Sequence, residues 1–366
     1  VATMLSHARR HRPFGRDAMA GWLFVLPVII VLGLFLVLPV VMAAWVSVSD
    51  WTGRGSPFSS TVNFVGIDNY RDLLGEPGLA QRDFGTSIRN NVYYVLLVVP
   101  TQTAVALFLA VLVNKRIKSR GFFRTAFYFP SVTSSVAITV LFLFLFSASG
   151  AVNRMLSFIG LRGPNWFADP RGIIHIGLGW LGVDQPPAAL TDGSLLGVNW
   201  WEWASGPSVA MCVFIVLAVF TTSGTFMLLF LSALQNIQAE IEEAAIVDGT
   251  TGWQRFRLIT LPMLRPTIAT VITLGLVGTW QVFDQIYTGT RGGPAKTTLT
   301  PAYQSYSASF LNQNWGQGAA IAFVLFAIIV VLTAVQRSLL RERDNDGKPG
   351  RVLSTLSFRR NAGGDS

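Results

Sequence analysis

The chain has 366 residues, 51% of them hydrophobic and 13% charged, and a formal net charge of +9. A soluble domain carries about a quarter charged residues, so this balance belongs to a membrane protein. Cys212, the one cysteine, lies in an apolar run and excludes an internal disulfide or a cysteine zinc site; His7, His11 and His175 are scattered and give no metal-ligand spacing.

Six runs are long enough to cross a bilayer: residues 20–49, 89–113, 125–147, 208–234, 262–288 and 316–337. The basic amino end, 1–19, leads into the first. A signal peptide has an apolar core of about 7 to 15 residues and a small-residue cleavage site, so this longer run reads as a retained span, bent by Pro27 and Pro39. An outer loop, 50–88, follows it. The second and third runs are separated by Lys115, Arg116, Lys118, Arg120 and Arg124.

The net charge of +9 raises nucleic acid as a partner, and its distribution answers that. With the amino terminus inside, Arg9, Arg10, Arg12, Arg16, the Lys115–Arg124 group, Arg255, Arg257, Arg265 and the basic residues from Arg337 onward share one side. That is roughly twice the number left in the outer loops, so the positive-inside rule selects an N-in, C-in arrangement. The charge is topological, and no nucleic-acid partner is expected. The tail, 338–366, has too little apolar content to fold alone.

Between the third and fourth runs lies a long outer loop, 148–207, in which 171–205 has the look of an insertion. Trp180, Trp200, Trp201 and Trp203 fall within it, and indole rings favour the water–lipid boundary, so it is expected to rest on the outer membrane surface or against a partner. Gly177, Gly179 and Gly182 spell G-x-G-x-x-G, but no strand or βαβ pattern surrounds them, which argues against dinucleotide binding.

The fourth run carries Thr221, Thr222, Ser223 and Thr225 near its middle. Such hydroxyls can bond their own helix, join helices, or line a polar route, and the sequence leaves these open. The fifth run ends in Gln281, Asp284, Gln285 and Tyr287. A carboxylate is costly in lipid, so Asp284 is expected to face the bundle interior or the outer boundary.

The most informative stretch is 237–266, IQAEIEEAAIVDGTTGWQRFRLITLPMLRP, a polar interruption of two apolar runs. Ile237, Ile241, Ala244 and Ala245 recur at helical spacing, with Glu240, Glu242 and Glu243 off that stripe. Asp248 and Gly249 end this helix, because glycine tolerates the left-handed backbone of a reversal. Thr251 and Gln254 then have capping-box spacing, and Pro262 suits the first turn of the next membrane helix. Surface-bound amphipathic helices are usually rich in Lys and Arg; the three glutamates favour a basic protein partner instead.

Glu243-Ala244-Ala245, three residues, Gly249, nine residues, then Ile259-Thr260-Leu261-Pro262 resembles the EAA-x3-G-x9-I-x-L-P loop of permease subunits in binding-protein-dependent ABC importers. FRTAFYFPSV (123–132) and NRMLSFIGLRGPNWFADP (153–170) are similar to further segments of that family, FVGIDNYRDLL (64–74) resembles its sugar-permease branch, and the Thr290-Arg291-Gly292-Gly293-Pro294 segment resembles the TxGGP segment of its maltose-type, carbohydrate branch. The resemblance implies an all-α polytopic membrane protein of six transmembrane helices with the type I ABC importer permease fold. It implies further that Glu243, Ala244, Ala245, Asp248, Gly249, Ile259, Leu261 and Pro262, in the cytoplasmic loop 237–261, receive movement from an ATPase.

Implied partners are a second homologous permease subunit, two ATP-binding subunits, an extracytoplasmic solute-binding protein, the lipid bilayer and a carbohydrate substrate. No cofactor is expected in this chain: it has no G-x-x-x-x-G-K-[ST], so ATP and Mg belong on the partner ATPase, and the chain is not itself an enzyme. Thr222, Ser223, Gln281, Asp284, Gln285 and Tyr287 are the candidate substrate route; hydroxyls, amides and aromatic rings suit a neutral polyol. One rival is an ion-coupled secondary transporter, which would need more intramembrane ionisable groups and an internal repeat. Another is a polytopic glycosyltransferase, which would need a recognisable acidic site at the membrane edge.

Overall fold

A computed structural model describes residues 16–115, 118–183 and 185–340. The expectations for the first 15 residues and for the tail beyond 340 lie outside these described residues. Five helices are long and apolar enough to cross a membrane, and a sixth crossing exists if one sharply bent pair counts as a single span.

The first span consists of α1 (Arg16–Leu32), a π-helical turn over Gly33–Val37 and α2 (Leu38–Ser47). Pro39 follows directly on the π turn, which carries the helix past the residue that lacks an N–H. None of the most apolar window of this span is buried within the chain, so its surface is left for lipid or another subunit. The following loop folds back on it: Trp45 lies between the rings of Phe58 and Phe64, and Asn69 of α3 (Asp68–Leu74) donates to the carbonyls of Ser47 and Ser49.

The central element is α4 (Leu79–Asn114). It starts ten residues before the apolar run that marks the second span, and its polar first turns are buried rather than solvated: Ser87, Arg89, Asn90 and Asn91 all lie inside. Tertiary partners supply the hydrogen bonds that composition alone could not foresee. Arg89 donates to the carbonyl of Glu202 and to Asn90 Oδ1, while Asn90 Nδ2 donates to the carbonyls of Lys296 (2.8 Å) and Leu299 (3.0 Å).

The expected third span is not one straight helix. α5 (Arg120–Val132) and α6 (Ser135–Leu145) meet at 96°, because Thr133 and Ser134 take extended backbone after Pro130. Neighbouring hydroxyls bridge the break: Ser131 donates to the carbonyl of Thr221 (2.6 Å) and Thr133 to that of Phe129 (2.9 Å). Gly224 lets α11 (Val209–Gln235) approach here, since a Cβ at that position would meet the backbone of Phe127.

After α7 (Ala151–Phe158), the 171–205 segment forms α8 (Ile173–Trp180), α9 (Ala188–Thr191), the two-residue antiparallel strands β1 (Ser194–Leu195) and β2 (Val198–Asn199), and α10 (Trp200–Trp203). Its ends lie side by side, Gly172 bridging Ser208 and Val209 N–H donating to the carbonyl of Arg171. The segment packs on α4 of its own chain: Arg82 pairs with Glu202 at 3.3 Å, Tyr93 bonds the carbonyl of Trp203, and Gly85 accepts Leu196 where a Cβ would not fit. Its other side is open, with Ile173, Ile174, Trp180, Leu181, Leu195 and Trp200 exposed.

The remaining chain comprises α12 (Ala239–Val247), α13 (Gly252–Arg255), α14 (Leu261–Met263), α15 (Arg265–Trp280), α16 (Asp284–Gly289), α17 (Pro301–Tyr306) and α18 (Trp315–Leu340). α4 packs against α11 through Ala106, Ala110, Val113, Met227 and Phe230, and on its other face Phe84 and Ile88 meet Trp280, Ile321 and Leu325 of α15 and α18. Small residues on one helix opposite large ones on the next give the close fit that replaces the hydrophobic drive absent within lipid.

Candidate functional site

A cavity of about 300 Å³ lies within the bundle, between α4, α11 and the broken fifth span. The break sets its chemistry. Helix α15 stops at Trp280, and Gln281, Val282 and Phe283 leave helical geometry before α16 starts at Asp284. The freed carbonyls are taken up from outside the helix, that of Val282 by the hydroxyl of Thr300 (3.1 Å) and that of Trp280 by Asn91 Nδ2 (3.4 Å). Irregular backbone at this depth is sustained where it lines a cavity or is buried in protein.

Gln281, Phe283, Asp284 and Gln285 line one wall, with Tyr94 and Gln102 from α4 and Thr222 from α11 opposite. Tyr94 donates to Gln285 Oε1 (3.1 Å), and Thr222 donates to Gln102 Oε1 (2.6 Å) and to the carbonyl of Ala218. Gln102 is fully buried and its Nε2 has no partner. Gly275 makes room for that amide, because a Cβ there would collide with Nε2. The cavity thus presents a hydroxyl, amides, one carboxylate and an aromatic face, with the unpartnered Gln102 nitrogen buried just behind its wall.

Of the six candidates for a polar route, Thr222, Gln281, Asp284 and Gln285 come together here. Ser223 does not: it is buried away from the cavity and donates to the carbonyl of Val219 (2.5 Å), so its hydroxyl serves its own helix. Tyr287 stands outside as well, among Phe283, Tyr303 and Tyr306, with the Arg291 guanidinium 6.0 Å from its ring centroid. The candidates omitted Tyr94, Gln102 and Phe283. An amide within VVPTQTAVAL was the available signal for Gln102; Tyr94 was hidden in a polar stretch that reads as the membrane boundary.

At one end of the bundle, α12 rests on the chain through Ala245, 5% exposed, with Ile237 and Ile241 half-buried. Ala244 of the expected apolar stripe points outward with Glu240, Glu242 and Glu243. Ile237 precedes the extended N-cap Gln238, so within α12 only Ile241 and Ala245 share the inner face, and at 100° per residue Ala244 lies a full step round from Ala245. Asp248 caps α12 through its N–H to the carbonyl of Ala244, Gly249 turns the chain at φ +76, and Thr250 donates to the carbonyl of Ala245. Thr251 and Gln254 close the capping box in both directions.

Pro262 does not begin the membrane helix. The chain is already helical through a π turn over Phe256–Thr260, in which Leu261 N–H reaches back to the carbonyl of Phe256, and Pro262 follows in α14. The π turn absorbs the register change around the residue that lacks an N–H. The span itself starts at Arg265, with Pro266 in its first turn. Ile259, Leu261 and Pro262 are half-buried, whereas Val247 (87% exposed) and Trp253 (69% exposed) flank the glutamates as an open apolar surface.

Residues 102–344 match the family model of the binding-protein-dependent transport system inner membrane component. The lactose transport system permease protein LacF of Rhizobium radiobacter is 31% identical over 327 residues, covering 88% of this chain and 94% of that protein. The trehalose/maltose transport system permease protein MalF of Thermococcus litoralis is 27% identical, covering 90% and 96%. Among solved structures, a chain of a bacterial ABC transporter involved in import of the acidic polysaccharide alginate superposes with a TM-score of 0.67 at 21% identity, covering 90% of this chain and 98% of that one. The broken, polar-lined helix bundle with its acidic end loop is therefore that of a multi-pass membrane protein, and the chain belongs to the family of binding-protein-dependent transport system inner membrane components.

Proposed function

We propose that this chain is the membrane-spanning subunit of an ATP-driven importer and carries a carbohydrate delivered by an extracytoplasmic binding protein. The observation that carries the cargo is the bundle cavity: hydroxyl, amide and ring groups converge on about 300 Å³, with the unpartnered Nε2 of Gln102 at its wall. A sugar hydroxyl accepts from such a donor and lays its C–H face on a ring such as Phe283. Relatives named for lactose and for trehalose/maltose transport support the same class, and one solved relative was captured with an alginate pentasaccharide-bound periplasmic protein.

In this reading the power enters at the other end. The acidic face of α12, with Val247 and Trp253 beside it, docks in a basic groove of an ATP-binding subunit; two such subunits and a second, homologous permease complete the transporter. The half-buried seat of α12 and the run of helical turns from Phe256, through the break at Leu264, into α15 form a lever, so that closure of the ATPases moves the wall bearing Gln281 and Asp284. The outward-open and inward-open states then differ in which end of the cavity is accessible.

The test is uptake by the complete transporter in proteoliposomes, with the binding protein outside and ATP inside, using labelled lactose, maltose and trehalose. One of these neutral sugars is expected to accumulate, and Gln102→Leu to reduce its uptake about tenfold with the complex intact, as expected for loss of a buried hydrogen bond. Uptake of none of them, or full uptake by the Gln102→Leu variant, overturns the assignment.

A further inference from the structure

A second cavity, of about 490 Å³, lies at the end of the molecule opposite the acidic loop. Its walls are the first turns of α4, the loop 290–300, α17 with its π-helical extension Ser307–Leu311, and the start of α18. Asp83, Lys296, Tyr303, Gln304, Asn312 and Gln317 supply its chemistry, with Arg291 at its edge. Nothing in the transport scheme above uses it.

The site is built rather than incidental. Lys296 Nζ reaches both oxygens of Asp83, at 2.7 and 2.8 Å, and Asn90 holds the carbonyls of Lys296 and Leu299 from beneath. Arg291, Ala295 and Lys296 all adopt left-handed backbone, φ 52, 47 and 61, which side-chain-bearing residues rarely take unless surrounding contacts impose it. Gln304 gives a second, independent indication. It is only 9% exposed, lines the cavity, and its Oε1 has no hydrogen-bond partner. A buried amide oxygen is seldom left so unless a ligand or water meets it.

The charge balance narrows the ligand. The Lys296 ammonium is already neutralised by Asp83; Arg291 keeps its charge at the wall, 6.0 Å from the Tyr287 ring centroid, and amides and a phenol ring make up the rest of the polar lining. Clustered donors and acceptors beside an aromatic ring match an array of hydroxyls, and the volume falls within the usual range for small-molecule pockets. Tyr303, in the wall, contacts Phe283 with ring centroids 6.3 Å apart, and Phe283 lines the bundle cavity. Phe283 and Tyr303 therefore stand between the two cavities, packed with Val282 and Leu299.

We infer that the cavity around Gln304 is a second, outer subsite for a neutral saccharide unit, occupied before the sugar passes the Phe283–Tyr303 partition into the bundle. This rests on the carbohydrate reading above. Gln304 is the positioning contact, with Asn312 and Gln317 completing the hydrogen bonds, and the aromatic pair is the surface along which the ring moves.

The complete transporter in nanodiscs, in a Cys212→Ser background, provides the test. Ser307→Cys reports on the outer cavity and Thr222→Cys on the bundle cavity, each by its rate of labelling with a small maleimide in the presence of lactose, maltose, trehalose or digalacturonate. A transported neutral sugar should slow labelling at both positions. Gln304→Leu should raise the half-protecting concentration at Ser307→Cys about fivefold or more, the effect of one lost hydrogen bond, and leave it unchanged at Thr222→Cys. Asn312→Ala, at an exposed position, should weaken outer protection without a folding cost. Protection at Thr222→Cys alone, or protection at Ser307→Cys unaffected by both variants, overturns the outer subsite and leaves the carbohydrate reading standing. Protection by digalacturonate only overturns the neutral class, and no protection at either position overturns both readings.

Discussion

Gln102 shows how much a single buried amide constrains its surroundings. Its Oε1 is satisfied by Thr222, its Nε2 by nothing in the chain, and Gly275 is the only size of residue that leaves room for it. Gly275→Ala would drive a methyl into the amide nitrogen, and Gln102 is fully buried with nowhere to turn. The expected cost is about 1–3 kcal/mol, typical of overpacking. Thermal unfolding of the purified protein in detergent measures it, and the double variant Gly275→Ala, Gln102→Ala should recover much of the loss. An undiminished melting temperature in the single variant would mean that the amide is not wedged there. Thr222 was recognisable from sequence as one of a cluster of hydroxyls; that it, and not Ser223, turns toward Gln102 depends on the rotation of α11 against α4.

At the scale of elements, the 171–205 segment is clamped to the amino-terminal part of α4. His175 stacks on Trp201 with ring centroids 4.2 Å apart, and its Nε2 lies 3.1 Å from the Trp201 carbonyl. Burial in this contact, reinforced by the nearby Arg89 charge, holds the imidazole below its ordinary value despite the opposing effect of the carbonyl. The released segment therefore binds a proton more readily than the docked one. Docking is fully favoured above the ordinary histidine value of about 6.5 and weakens as pH falls past it toward the lower docked value. Hydrogen exchange of the β1, β2 and α10 amides should accelerate at about pH 5.5 relative to about pH 7.5 beyond the intrinsic chemical change, and His175→Phe should remove that difference. An equal response in wild type and variant would assign the pH effect elsewhere.

The bent pair α5 and α6 belongs to the same scale. FRTAFYFPSVTSSV reads as a helix start because its apolar content is continuous, and the break at Thr133 is visible only once Ser131 is seen bonded to α11. Likewise the capping box at Thr251 and the turn at Gly249 were legible, since both are decided within a few residues, whereas the π turn that carries the helix past Pro262 was not.

For the whole molecule, the two polar sites lie at different heights of the bundle, and α15 joins the acidic loop to the first of them. In the proposed transporter, Glu243 is exposed on α12 and free to meet a basic groove. Glu243→Lys should therefore leave insertion and sugar protection in the bundle cavity unchanged while reducing ATP-driven uptake at least about tenfold, the effect of replacing an attractive contact by a like-charge one. Uptake and ATP hydrolysis measured on the same proteoliposomes check this, and normal coupled uptake would remove the loop from the power path. The unburied apolar surface of the first span is fit for lipid or for the second permease of that proposal.

The sequence by itself determined the membrane class, the approximate positions of the spans, the acidic turn and the family likeness of the loop around it. These follow from composition, apolar run length and residue spacings of fewer than about twenty positions, over which local backbone chemistry dominates. Tertiary structure alone decided that Tyr94, Gln102, Thr222 and Gln285 share one cavity, that the 171–205 segment covers α4, and that Gln304 is left unpartnered in a second pocket. A membrane helix is apolar nearly all the way round, so its sequence carries little record of which face meets which neighbour. That choice is made by small residues, polar partners and breaks brought together from distant parts of the chain.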